Sequence, residues 1–274
     1  VKTSSASAYE LTADQREFFE REGYLIVRGF FDQSEVTTLA QRFEAIAEGT
    51  ASIPAGVWDR DQNATDPLLR HPRIMHPHRF DELSKRMLLH PKVQRVLEQL
   101  LGCEPVATQS MFYFKPPGSR GQALHQDNFY LQVEPQSCIA AWTAIDPSTP
   151  DNGGLYVVPK TQHVDLACPE QADMTQSFFQ HLVRPPPGQK AIAAEMQPGD
   201  TLFFNGNVIH GSGPNRSATQ WRRTYICHYM PATARCISRH YFPLLNFAGE
   251  EVTYEANNSG GPCGIEFPKP TYGA

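Results

Sequence analysis

Apolar residues recur at two different periods along this chain, and the change of period divides it. Thr12 with Gln15 three residues later has the form of a capping box. The helix it opens carries Phe18 and Phe19 and stops at Gly23. Tyr24 to Phe30 then reads as a strand. Asp32 with Glu35 opens a second helix, in which Val36, Leu39, Phe43 and Ile46 recur at helical spacing until Gly49. Residues 50–72 hold many polar groups, prolines and a glycine and predict a long loop, a common form for a lid. Residues 80–102 predict one or two further helices, and all the helices expected lie before residue 103. From Pro105 the period becomes two. Val106 to Lys115, Cys138 to Ile145, Gly154 to Val158, Thr201 to Phe204 and Arg222 to Met230 predict strands. Turn clusters such as Pro116-Pro117-Gly118 and Pro198-Gly199-Asp200 separate them. Residues 165–190, ending in Pro185-Pro186-Pro187-Gly188, interrupt the pattern as an insertion. The expectation is one domain over 1–274: a helical front (10–102), a β core (105–232) and a C-terminal cover segment (233–274). Such a chain is mainly β with bracing helices, a jelly-roll barrel.

Composition narrows the function. A length of 274 residues suits one large domain, and a hydrophobic share of 40% can fill its core. A net charge of −5 gives no electrostatic footprint for nucleic acid. No run of 18 apolar residues predicts a membrane span. The N-terminus has no apolar signal core, and the C-terminus is not a peroxisomal address. None of the six cysteines, Cys103, Cys138, Cys168, Cys227, Cys236 and Cys263, forms a C-x-x-C pair. Reduced thiols in a cytoplasmic protein are the expectation.

The chemistry is carried by His125-Gln126-Asp127. Alternate residues of an extended segment project to one face, so His125 and Asp127 can grip one metal ion. With His210, at the far end of an aromatic strand and before a glycine, the set becomes two histidines and one carboxylate. That facial triad suits non-haem Fe(II) and leaves three positions open. A second H-x-D, His163-Val164-Asp165, sits beside the polar insertion and is the weaker candidate. Arg222 follows His210 by 12 residues across the turn Pro214-Asn215-Arg216-Ser217. It is expected to begin the adjacent antiparallel strand and to point into the same barrel mouth, where a buried guanidinium needs an anion. The far carboxylate of a keto acid is such an anion, and Ser212 can add a hydroxyl. Arg223 is expected to face solvent. A zinc- or manganese-bearing cupin-like isomerase, or a barrel that binds without turnover, uses similar ligands and remains the alternative.

The ordered motifs resemble the phytanoyl-CoA dioxygenase family. They run from Gln109-Ser110-Met111-Phe112-Tyr113-Phe114-Lys115-Pro116-Pro117 through Leu124-His125-Gln126-Asp127, Ala141-Trp142-Thr143-Ala144 and Asn152-Gly153-Gly154-Leu155-Tyr156-Val157-Val158-Pro159. They end in His210-Gly211-Ser212-Gly213-Pro214-Asn215 and Trp221-Arg222-Arg223, so the likeness covers roughly residues 10 to 232. The resemblance implies a double-stranded β-helix holding Fe(II) through His125, Asp127 and His210, with 2-oxoglutarate and O2 as co-substrates. It implies 2-oxoglutarate bound by Arg222 and Ser212. Trp142 and Met111 match pocket positions, although both also suit a core, and Gln122 and Arg73 match further pocket residues. Thr161 is a candidate too, but Pro159-Lys160-Thr161-Gln162-His163 carries one residue more than the family's pattern. The implied activity is hydroxylation of a small molecule or natural-product intermediate with release of succinate and CO2. Asn128, Phe129, Tyr130, the 50–72 loop, the insertion and the C-terminal segment are expected to shape the substrate. Phe242, Leu244, Leu245 and Phe247 of that last segment either cover the pocket or build a homodimer interface.

Overall fold

The computed structural model describes residues 9–135 and 137–257. Two antiparallel sheets form its centre. The major sheet has eight strands. Seven run in the order Tyr24–Val27, Thr201–Asn205, Ile139–Ala144, Thr224–Pro231, Pro105–Tyr113, Leu244–Leu245 and Glu251–Val252, and Ile74–Met75 also pairs with Pro105–Tyr113. The minor sheet runs Gln122–His125, His210–Ser212, Leu155–Val157 and Ile192–Ala193. The chain thus folds as the jelly roll that the strand-rich half predicts.

Period-two alternation decides what each face does. On Thr224–Pro231 the odd positions Tyr225, Cys227 and Tyr229 join a core with Val36, Leu39, Phe43, Val93, Val96 and Leu97 of the helices. Phe112 lies on the same side, stacked on Phe43 at 3.8 Å. The buried phenols are satisfied, because Tyr225 and Tyr229 donate to the carbonyls of Ser84 and Leu88, each at 2.7 Å. The opposite face sends Met111, Trp142, Ile226, Leu202 and Phe204 toward Leu155 and Val157 of the minor sheet. The chemistry sits between the sheets, and the helices brace the outside.

The helices follow their signals. Ala13–Glu22 and Gln33–Glu48 both carry the expected capping boxes, on Thr12/Gln15 and Asp32/Glu35, and both end at a left-handed glycine. The 80–102 stretch is two helices, Glu82–Leu88 and Pro91–Leu101, because Pro91 can start a helix but not continue one. The 50–72 loop holds one short turn of helix, Pro67–Arg70. The expectation that helices end before residue 103 needs correction: Asn128–Leu131 is helical and directly follows Asp127. The insertion contributes a small hairpin, Glu170–Gln171 with His181–Leu182.

Within residues 233–257, Leu244–Leu245 and Glu251–Val252 extend the major sheet beyond Pro105–Tyr113. Leu244 and Leu245 are buried, and Phe242 packs on a cluster with Val106 and Leu131. The rest of the cover segment lies outside the described residues. No helix among the described residues is long and apolar enough to cross a membrane. The expectation of reduced thiols holds for Cys103, Cys138, Cys227 and Cys236. It fails at Cys168, which is disulfide-bonded.

Candidate active site

His125 and His210 are directly paired across two strands of the minor sheet, which brings their rings to 4.2 Å between centroids. Each ring is fixed in the same way. His125 Nδ1 lies 2.9 Å from the Ala123 carbonyl and His210 Nδ1 lies 2.9 Å from the Val208 carbonyl. A carbonyl only accepts, so each Nδ1 carries the proton and each Nε2 presents a lone pair. Asp127 Oδ1 lies 3.5 Å from His125 Nε2, and Oδ2 lies 3.5 Å from His210 Nε2. One ligand atom from each of the three lies within 4.8 Å of the other two. Two imidazole nitrogens and a carboxylate converging so closely fit a ferrous ion with open positions.

The route to this cluster differs from the expected one. Asp127 is not on the extended segment with His125. Its backbone is right-handed helical, with φ −63° and ψ −37°, at the head of the Asn128–Leu131 turn. Simple alternation therefore does not aim its carboxylate. His228 does contact it, with Nε2 3.0 Å from Asp127 Oδ2. Burial alone would raise the Asp127 pKa. His210 and His228 outweigh burial, aided by the hydrogen bond from His228, and hold it well below the usual carboxylate range. The weaker pair is set aside, because His163 and Asp165 are exposed.

A cavity of about 210 Å³ opens onto the cluster. Nine of the ten candidate residues line it: His125, Asp127, His210, Arg222, Ser212, Gln122, Trp142, Met111 and Arg73. Thr161 does not. It is fully buried, donates to the Val158 carbonyl at 2.7 Å and accepts from the Ile209 amide at 2.9 Å. It is a latch next to His210. Thr161→Val leaves a buried amide without an acceptor and is expected to cost roughly 1–3 kcal/mol of stability in urea unfolding. The affinity for a keto acid should stay unchanged in that variant.

Arg222 enters the cavity by another path than the expected hairpin. Residues 213–223 cross from the minor to the major sheet, so the strand after Arg222 pairs with Ile139–Ala144 and Pro105–Tyr113 instead of with the His210 strand. Asn215 holds the crossing by donating to the Lys115 and Gln220 carbonyls, at 3.0 and 2.7 Å. Arg222 is 3% exposed, donates from Nε to the Gly153 carbonyl at 3.2 Å and lies over the Trp142 ring. Burial lowers its pKa to about 10, with Tyr113 and Asp146 opposing. No carboxylate among the described residues forms an ion pair with it. The nearby Asp146 is taken by Arg223, through contacts of 2.8 Å to both oxygens, and Arg223 also pairs with Glu44. Arg223 therefore points away from the cavity, as expected, but into an ion-pair network instead of open solvent.

Two residues escaped the sequence reading. Lys115 is buried behind Ser212, donating to Ser212 Oγ at 2.9 Å and to the Gly153 and Gly213 carbonyls at 3.1 and 2.6 Å. Burial and the Arg222 charge push its pKa well below the usual lysine value. Ser212 Oγ also accepts from the Gln122 amide at 3.3 Å. With its lone pairs so engaged, the hydroxyl retains its own proton to donate. The other residue is His228. Both lie in the period-two register that continues from the motif residues: Met111, Tyr113, Lys115 on one side and Arg222, Thr224, Ile226, His228 on the other.

The sequence profile described as phytanoyl-CoA dioxygenase (PhyH) matches residues 19–224. The chain belongs to the phytanoyl-CoA dioxygenase family. It is 28% identical to the peroxisomal phytanoyl-CoA dioxygenase of Mus musculus, over 88% of this chain and 75% of the mouse protein. It is 30% identical to a probable phytanoyl-CoA dioxygenase of Caenorhabditis elegans, over 80% of this chain and 75% of that protein. Its fold is similar to EctD from S. alaskensis, solved with 2-oxoglutarate and 5-hydroxyectoine, at a TM-score of 0.68 and 21% identity over 85% of this chain and 80% of EctD. It is also similar to the carbocyclase SnoK from nogalamycin biosynthesis, at a TM-score of 0.63 and 20% identity over 82% and 86% of the two chains. Family membership and the donor set agree on the class of reaction, dioxygenation dependent on iron and 2-oxoglutarate.

Proposed function

We propose that this chain hydroxylates a small organic molecule, with His125, Asp127 and His210 holding Fe(II) and Arg222 and Ser212 holding 2-oxoglutarate. The observation that carries the reading is the pairing of a three-ligand cluster with a buried, carboxylate-free guanidinium in one cavity. Bound iron supplies the oxidising chemistry, coupling decarboxylation of 2-oxoglutarate to succinate and CO2 with insertion of one oxygen atom of O2 into a C–H bond. The protein's part is placement. The ring orientation of His125 and His210 delivers two Nε2 donors. Arg222, kept charged, meets the distal carboxylate of the keto acid through paired N–H donors, and the Ser212 hydroxyl donates to the same group. Trp142 and Met111 wall this pocket, and Gln122 and Arg73 contribute polar edges. An isomerase or a plain zinc barrel has no general use for the carboxylate clamp, which disfavours the alternative.

The substrate enters where the insertion and the C-terminal segment close the cavity. Phe179 and His181 come from the first, His240 and Tyr241 from the second, and they meet Tyr130 there. Tyr130 Oη lies 3.1 Å from His181 Nδ1. This wall is aromatic with polar tips, which suits an organic substrate of natural-product size. We read the chain as one domain with a C-terminal cover segment: Phe242, Leu244, Leu245 and Phe247 are spent on its own core clusters, while His240 and Tyr241 reach the cavity, which favours cover over a homodimer interface. Four free thiols fit a cytoplasmic setting, and the Cys168 disulfide is the feature that runs against it.

Anaerobic addition of Fe(II) and 2-oxoglutarate to the purified chain is expected to give a weak visible charge-transfer band. Admission of O2 should then yield succinate, even without the substrate. A protein that binds Zn(II) but shows neither band nor succinate would return the reading to the isomerase or binding barrel.

A further inference from the structure

Three histidines surround Asp127, and they are not alike. Two, His125 and His210, donate from Nδ1 to a backbone carbonyl and so leave Nε2 unprotonated; that of His125 lies 3.1 Å from the Gln122 side-chain amide nitrogen. The third, His228, has the reverse arrangement. Its Nε2 lies 3.0 Å from Asp127 Oδ2, and among the described residues its Nδ1 is a buried atom with no hydrogen-bond partner. A carboxylate oxygen accepts only, so the His228 proton sits on Nε2 and is donated to Asp127. His228 is 2% exposed and stands outside the group whose ligand atoms converge within 4.8 Å.

Asp127 needs such support more than its two partners do. Their rings are each fixed by a bond to the carbonyl two residues earlier in the chain, whereas Asp127 heads a helical turn and makes no capping bond to that turn. Its carboxylate is left to be aimed from outside. The backbone at His228 is arranged for that task. Opposite the strand Pro105–Tyr113, the register shifts between His228 and Tyr229, so that His228 faces Gln109 and Tyr229 faces Ala107. Thr108 is the extra residue of this bulge, and its hydroxyl donates to the His228 carbonyl at 2.9 Å. The bulge lies on the facing strand, while on its own strand His228 keeps the alternation of Thr224 and Ile226 in unbroken register with Ile139–Ala144; the Thr108 hydroxyl ties the backbone that carries the imidazole.

We infer that His228 is a positioning residue: its Nε2–H occupies Asp127 Oδ2 and fixes the carboxylate, so that Oδ1 would be available to a bound Fe(II). This rests on the Fe(II) reading of the same cavity. Supporting donors to ligating groups typically contribute about 10- to 100-fold in metal affinity.

The test compares the full chain with His228→Leu, which keeps bulk without a donor, and His228→Gln, whose amide can still donate. Fe(II) is titrated anaerobically, with and without 2-oxoglutarate, and read by the visible band and by the rise in melting temperature on metal addition. His228→Leu should bind Fe(II) about 10- to 100-fold more weakly, with a shifted band, while the metal-free melting temperature stays near that of the parent. His228→Gln should recover most of the affinity. Equal affinity in all three proteins overturns the inference, as does a folded His228→Gln as impaired as His228→Leu. If His228→Leu does not fold, His228→Gln decides alone: parental affinity and band support the inference, and loss of both overturns it. A parent chain that binds no Fe(II) sinks the functional reading instead, which keeps the two failures distinct.

Discussion

Asp127→Ala should abolish succinate formation and weaken Fe(II) binding beyond the ~10- to 100-fold that a supporting partner alone contributes. Three consequences of the substitution act together. The only anionic ligand of the cluster is lost, so the divalent ion meets two neutral imidazoles. The buried His228 Nε2–H, 3.0 Å from Asp127 Oδ2 in the parent, loses its acceptor, at about 1–3 kcal/mol. A divalent ion held there would also carry its charge uncompensated in a buried site. Asp127→Glu keeps the charge but moves it by one methylene, and should recover iron binding more than turnover. The measurements are anaerobic Fe(II) titration and succinate release under O2. Full iron affinity in Asp127→Ala would remove this residue from the metal site.

Arg222→Leu should weaken 2-oxoglutarate by about 100-fold, on a scale of roughly 1.5–3 kcal/mol for a hydrogen bond to a charged group. Fe(II) affinity without 2-oxoglutarate should barely move. That split separates a co-substrate anchor from a structural arginine, because a structural defect would lower both. Arg222→Lys restores a cation but not the planar fork, and belongs between the two. Titrating 2-oxoglutarate into the Fe(II)-loaded protein and following the visible band reads all three. Equal 2-oxoglutarate affinity in Arg222→Leu and the parent would overturn the assignment.

The sequence announced the outer scaffold more clearly than the inner one. Capping boxes and left-handed glycines are local chemistry, so Thr12, Gln15, Asp32 and Glu35 place two helices almost to the residue. Strand positions were visible where the alternation was long. The site's residues were legible as a set because motif order carried them. Their paths were not. A single helical turn such as Asn128–Leu131 is too short to show a period, so Asp127 reads as strand. The crossing 213–223 imitates a hairpin because it is rich in turn residues, yet Asn215 closes it on Gln220 and ties it to Lys115, just past the end of Pro105–Tyr113. His228 and Lys115 needed the partner strand to show what their polar heads touch. Thr161 fails for the opposite reason: its motif position is right beside the site, but its hydroxyl is consumed by backbone.

The walls around the cavity come from two sources. The oxidising end stands on strands of both sheets, the major one backed by the helices and the minor one by the cluster of Leu124, Val158, Val183 and Ile209, so a change there disturbs packing on both sides. The far wall comes from the inserted hairpin and from the C-terminal stretch that carries His240 and Tyr241. Selection can therefore rewrite Phe179, His181, His240 and Tyr241 to accept a new molecule while leaving the oxidising end as it is. In that sense the architecture separates what is done from what it is done to, and descendants of one ancestor can diverge in diet without relearning their trade.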